Sequence, residues 1–145
     1  MADDIQDRIA GDLLALLPFY HKRLFKAEHG ISGMQAAQYR VLGLLMSAGV
    51  LPMSEIGKRL YISKPYMTVL IDSLVEGGHV ERLPDTGDRR VINVAITGKG
   101  KTYLKHAGAM YKNDVKALIA DLDEPDLAEL CRSLENLRGI LAKIP

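Results

Sequence analysis

Between residues 52 and 100 the hydrophobic period changes from helical to extended, and this order leaves few folds open. The run PMSEIGKRL places Ile56 and Leu60 four residues apart, as a short helix requires. After a brief interruption, SKPYMTVLIDSLVEGG returns to helical spacing, with Met67, Leu70, Ile71, Leu74 and Val75 on one apolar stripe. From Val80 the period drops to two: Val80 and Arg82 alternate with Glu81 and Leu83, and Ile92, Val94 and Ile96 alternate on a return strand. The intervening PDTGDRR is rich in turn residues and charge, so it forms the exposed tip of a hairpin. Two short helices at a tight turn, followed by a charged hairpin, describe a winged helix-turn-helix. The fold class is therefore mostly α with a small β-hairpin wing, supported by a helical dimerisation region.

Local signals set the helix ends. The first helix of the pair starts at Pro52 or Ser54 and stops at Leu60. Ser63 is placed to cap the second, its side-chain oxygen accepting from N–H groups two or three residues on. Pro65 is tolerated because first-turn N–H groups have no intrahelical partner. Gly77 and Gly78 end the helix. Lys64, Tyr66, Thr68, Val69, Asp72 and Ser73 fall mainly away from the apolar stripe. That face is the one available to a DNA major groove.

The flanking segments read as supports. Ile5, Ile9, Leu13, Leu16, Leu17, Tyr20 and Leu24 predict an amphipathic helix over residues 4–28, kinked or divided at Pro18. Gly30 and Gly33 bracket a loop. A helix over 34–48 follows, with Ala37, Val41, Leu44 and Leu45 on one face and a stop at Gly49. Beyond the wing, a long helix is expected over 99–121, and Asp123-Glu124-Pro125-Asp126 announces another. In that last helix Leu127, Leu130, Leu134, Leu137, Leu141 and Ile144 step by three and four, the spacing of helices that pack along their length. Three regions result: 1–50 for dimerisation and support, 51–97 for the winged lobe, and 98–145 for dimerisation.

Charge is segregated even though the whole chain is only +1. Residues 52–106 hold nine basic and six acidic groups, whereas 107–145 hold five and seven. The positive excess thus lies on the segment that would face phosphates. No run of about 18 apolar residues is present, so no membrane helix is expected. The opening MADDIQDRIAGD is acidic, unlike the positively charged start of a secretory signal. With a single cysteine, Cys131, the chain cannot form an internal disulfide. These points favour the cytoplasm.

The runs SEIGKRLYISKPYMTVLIDSLVEGGHVER, DRR and ITGKG, in that order, resemble the MarR family of winged-helix transcription regulators. The family pattern Asp-x-Arg, five positions, Leu-Thr, two positions, Gly is met by Asp88, Arg90, Ile96, Thr97 and Gly100, with Ile in place of Leu. The resemblance covers essentially the whole chain. It implies a homodimer built from the first helix and the last two helices of each subunit, with Ser63 through Ser73 in the major groove. Within that span Ser63, Lys64, Pro65, Tyr66, Thr68, Val69 and Ser73 are the expected contacts. It also implies that Arg90 enters the minor groove or meets its phosphates while Asp88 fixes the wing. Arg89 and Lys58 are further phosphate candidates. The partner would be double-stranded DNA carrying a pseudo-palindromic operator, and the activity that of a repressor released by a small effector. Two departures stand out. Tyr61 occupies a turn position where glycine is common, so ordinary dihedrals are expected there. The N-terminal helix also lacks the cysteine of the family's peroxide-sensing branch.

Several residues admit two readings. Phe19, Tyr20, Met34 and Tyr39 could line a pocket for a small aromatic effector or could be plain core. Cys131, on an apolar helix, is expected to be a buried small hydrophobe. His21, His29, His79 and His106 lack zinc-ligand spacing, so no metal or other cofactor is expected. No nucleophile elbow or phosphate-binding glycine loop is present, and no catalytic residue is assigned. The alternative function is a winged helix that binds protein without DNA.

Overall fold

The structure is a computed structural model that describes residues 1–23 and 33–145, with the backbone alone for residues 20–23. It divides into two compact units, Met1–Tyr111 and Lys112–Pro145. The described elements are α1 (Ala2–Arg23), α2 (Gly33–Ala48), β1 (Leu51–Pro52), α3 (Met53–Leu60), α4 (Lys64–Glu76), β2 (Val80–Pro84), β3 (Ile92–Ile96), α5 (Gly98–Leu118) and α6 (Glu124–Leu141). The end of the first helix near residue 28, the loop at Gly30 and the side chain of Tyr20 lie outside the described residues. Pro18 does not divide α1, which runs through it as one helix.

The lobe is organised around α4. Met67, Leu70, Ile71 and Leu74 are buried against Val41, Leu42 and Leu45 of α2, Ile56 of α3, and Val80 and Val94 of the sheet. Each fully buried aliphatic side chain contributes about 1.5–3 kcal/mol relative to exposure, so this cluster holds α4 in place. The apolar stripe expected on α2 is shifted, since Leu42 is fully buried and Leu44 only partly covered. Val75 likewise packs at the margin of the core.

The wing is part of a three-stranded antiparallel sheet in the order β1-β3-β2, with one strand more than the expected hairpin. Leu51 pairs with Val94 and Pro52 with Asn93. Two residues are too few to show alternation, and Pro52 doubles as the start of α3, so this strand is hidden in the sequence.

The turn between α3 and α4 departs from expectation. Tyr61 adopts φ 54° and ψ 44°, the left-handed region, instead of ordinary dihedrals. Close packing explains this. A Cβ on buried Gly57 would lie 3.0 Å from Met67 Cγ and 3.1 Å from the Ile62 carbonyl, so α3 and α4 meet almost backbone to side chain. The chain must reverse at once, and Ile62 N–H closes back on the Gly57 carbonyl at 2.9 Å. Such a closure needs a left-handed residue at its corner. Arg40 supports the same end by donating to the Leu60 carbonyl at 3.0 Å.

At the other end of α4, Gly77 N–H donates to Ser73, Gly78 N–H to Val75 and His79 N–H to Leu74, with Gly78 at φ +75°. This is a glycine-based helix stop. Thr97 and Gly100 then connect it to α5. Thr97 Oγ1 donates to the Gly78 carbonyl at 2.6 Å, and Gly100 N–H donates to Thr97 Oγ1 at 3.0 Å. A Cβ at Gly100 would fall 2.0 Å from the His79 carbonyl oxygen. The ring of His79 rests on Tyr103 at 4.4 Å, and burial followed by the nearby Lys99 charge lowers its pKa.

In the second unit, α6 begins as expected: Asp123 accepts from Asp126 N–H at 2.9 Å, with Pro125 in the first turn. Leu127, Leu130, Leu134 and Leu141 are exposed in the single chain. Cys131 is exposed too, 3.7 Å from Glu135 Oε1, which corrects the expectation of burial. No residue of α6 is fully buried in the single chain, and only Leu137 of its apolar seam is half-buried.

Candidate nucleic-acid interface

The outward face of α4 is built from its first turn. Ser63 is the N-cap, φ −63° and ψ 151°, and its Oγ accepts from Tyr66 N–H at 3.4 Å. Lys64 and Pro65 occupy the first turn, and Thr68 Oγ1 donates to the Lys64 carbonyl at 3.3 Å. Lys64, Pro65, Tyr66, Thr68 and Val69 are all exposed, an open row along one side of a helix whose opposite side is core. Ser73 is not part of that row. Its Oγ accepts from Gln38 Nε2 at 2.9 Å, and the residue is half-buried against α2. The sequence places it near the edge of the apolar stripe, and the α2 partner decides which way it turns.

The tip of the wing is held by two aspartates. Asp85 Oδ2 accepts from the N–H groups of Gly87 at 3.0 Å and Asp88 at 2.9 Å, while Oδ1 accepts from Asn93 Nδ2 at 3.0 Å. These bonds, that from Asn93 foremost, hold the Asp85 carboxyl below its ordinary pKa. Sequence reasoning passed over Asp85, although Asp followed at two and three residues by turn N–H groups is a recognisable turn signal. Asp88 Oδ1 accepts from Arg90 N–H at 2.9 Å. Its two oxygens also face Arg90 Nε at 3.3 Å and Nη2 at 3.4 Å. The guanidinium is thereby aimed while its side chain stays 91% exposed. Arg89 is exposed beside it, in the same turn.

Helix and wing share a groove. A cavity of about 470 Å³ is lined by residues of α3, α4 and the return of the wing. Lys58, Lys64 and Arg90 reach it from those three elements, around an apolar floor that includes Met53, Met67 and Ile92. Cations from three elements thus converge on one concave surface, which concentrates positive potential there.

Of the residues read as effector pocket or core, Phe19, Met34 and Tyr39 do not line this cavity. Met34 packs against the core, and Tyr39 meets Tyr111 edge to face with ring centroids 5.0 Å apart. Phe19 is half-exposed on α1. Among the described residues no group of three His, Cys, Asp or Glu is placed to hold a metal ion. Nor is any described helix long and apolar enough to cross a membrane.

Comparison with known proteins agrees with this architecture. The family model described as MarR family matches residues 32–91. The HTH-type transcriptional regulator YkoM of Bacillus subtilis is 34% identical over 89 residues, covering 57% of this chain and 58% of its own length. TtmR of Methylorubrum extorquens, also an HTH-type transcriptional regulator, is 38% identical over 64 residues, 44% of this chain and 33% of that protein. The chain therefore spans less than two thirds of either relative. The multiple antibiotic resistance protein MarR of Escherichia coli is 30% identical over 96 residues, 66% of this chain and 67% of its own length. The apo crystal structure of wild-type MarR from E. coli superposes with a TM-score of 0.69 at 26% identity, covering 88% of this chain and 95% of that one. The chain belongs to the MarR family of winged helix-turn-helix transcriptional regulators.

Proposed function

We propose that the protein is a homodimeric, sequence-specific DNA-binding repressor. The outward row of α4 (Ser63, Lys64, Pro65, Tyr66, Thr68 and Val69) enters the major groove, and Arg90, aimed by Asp88, enters the neighbouring minor groove. Arg89 and Lys58 meet phosphates. The observation that carries this reading is the convergence of Lys58, Lys64 and Arg90 on one groove beside an otherwise uncommitted helix face. Cations fix register on the backbone, whereas the polar and apolar side chains of the helix discriminate bases.

Dimerisation is supported by two apolar faces that stand open in the single chain. Ile5, Ile9, Leu13, Leu16 and Leu17 are exposed on α1, and the leucine seam is exposed on α6. We assign residues 1–50 and 98–145 to this pairing and to supporting the lobe of residues 51–97. The operator is a pseudo-palindrome with half-sites about 34 Å apart, one helical turn. Release by a small aromatic effector, met by Phe19, Tyr20, Met34 and Tyr39, requires the effector to prefer the state that cannot bind DNA. As a regulator acting on DNA, the protein works in the cytoplasm. The test is selection from random duplexes followed by fluorescence anisotropy and sedimentation. We expect an enriched two-fold motif bound by a particle of two chains. A single-chain particle, or no enrichment, sinks the proposal.

A further inference from the structure

A carboxylate lies at the centre of the face that α4 turns outward. Met67, Leu70, Ile71 and Leu74 define the buried side of the helix, and the opposite line runs through Pro65, Val69, Asp72 and Glu76 at steps of four and three. A bare anion at that point would confront phosphates across the groove, and like charges brought together at an interface are strongly disfavoured. Glu76 is the last helical residue, one turn further on. Asp72 is the acid within the central turns.

Asp72 is compensated from another element. Arg82 follows buried Val80 by two positions in β2 and pairs with buried Val94 across the sheet. Strand alternation therefore turns it to the helix-packed face. Its Nη2 donates to Asp72 Oδ1. The Arg82 side chain is 34% exposed and that of Asp72 60%, so the sheet seats the cation while the carboxylate still opens outward. Oδ2 accepts no hydrogen bond from the described residues.

On the DNA-binding reading above, we infer that Asp72 is a base-reading acceptor and that Arg82 is the positioning residue that lets it serve as one. The paired carboxylate presents little net charge to the backbone, yet Oδ2 remains free for an exocyclic amino group in the major groove. Cytosine N4 is the donor that acidic side chains accept from most naturally, and adenine N6 carries the same chemistry.

A double-mutant cycle tests this, using a selected operator and a random duplex with the full-length chain. Arg82→Gln uncovers the carboxylate and lowers affinity for both duplexes by roughly tenfold. The Arg82→Gln/Asp72→Ala double variant recovers to within about threefold of Asp72→Ala alone, because no anion is left to repel. Reselection with Asp72→Ala loses one base preference per half-site, and the identity of that base separates cytosine from adenine. Arg82→Lys keeps the charge and holds affinity within about threefold of wild type. Three results overturn the inference: equal losses in Arg82→Gln and the double variant, an unchanged preference in Asp72→Ala, or a Lys variant as weak as the Gln variant. Wild-type chain that binds no duplex would instead overturn the DNA-binding reading itself.

Discussion

The hydroxyl of Thr97 donates to the carbonyl of Gly78 across 2.6 Å, joining the stop of α4 to the start of α5. The same oxygen accepts from Gly100 N–H at 3.0 Å, so one side chain serves two backbone groups that otherwise lack a local partner. Ile96-Thr97-x-x-Gly100 is thus a joint with a physical purpose. It fixes where the outward helix ends relative to the long helix that follows.

Removing that hydroxyl has a measurable cost. Thr97→Val keeps the shape but leaves Gly78 C=O and Gly100 N–H without their partner. Stability should fall by about 1–2 kcal/mol. Chemical denaturation followed by circular dichroism reads this directly, and an unchanged midpoint would mean that water substitutes for the hydroxyl.

Gly100→Ala attacks the same joint by crowding. The new methyl would lie 2.0 Å from the His79 carbonyl oxygen and 2.8 Å from Ile96 Cγ1, so the backbones must separate. We expect a loss of about 1–3 kcal/mol, at least as large as that of Thr97→Val. A melting temperature equal to that of wild type would refute so close a contact.

Tyr61 offers the opposite experiment. Its left-handed backbone costs a non-glycine residue about 1–2 kcal/mol, and its side chain, 95% exposed, has little packing to lose. Glycine relieves that strain but adds freedom to the unfolded chain. Tyr61→Gly should therefore stabilise the protein by about 0.5–1 kcal/mol. Destabilisation in a thermal melt would show that the tyrosine makes a contact in the assembled protein.

Acid should loosen the wing tip. The Asp85 carboxyl is held below its ordinary pKa of 3.8, first by Asn93 and then by the N–H groups of Gly87 and Asp88. A depressed folded-state pKa means that the stabilisation is complete above 3.8 and is lost as pH falls through the lower, folded value. In an NMR titration the amide resonances of Gly87 and Asp88 should move with a midpoint below 3.8. A midpoint at or above that value would contradict the bonding described.

Arg90→Ala removes the aimed guanidinium without touching the core. Operator affinity should weaken by about 1–3 kcal/mol with the assembly unchanged, as judged by anisotropy and sedimentation together. Equal affinity would take the wing out of the interface.

Much of the fold was legible because single residues decide it. Ser63 and Asp123 were recognisable as caps, Met67 to Leu74 as a buried stripe, and Asp88 beside Arg90 as a brace. The failures share a cause, which is that distant packing outweighs local preference. Tyr61 is left-handed because Gly57 and Met67 meet closely. Ser73 turns inward because Gln38 waits on α2. Arg82 reaches Asp72 because the sheet seats it there. Leu51–Pro52 becomes a strand only through β3. Cys131 was misjudged for the reverse reason, since an apolar neighbourhood on α6 does not bury it in the single chain.

β2 pairs with β3 along its whole length on one side, and Leu51–Pro52 pairs with Val94 and Asn93 on the other. One outer strand has two residues, and its proline lacks an N–H; the other carries Glu81, Arg82 and Pro84. Charges and prolines at such borders discourage strand addition. The outer strands of this small sheet are therefore poor templates for a further strand.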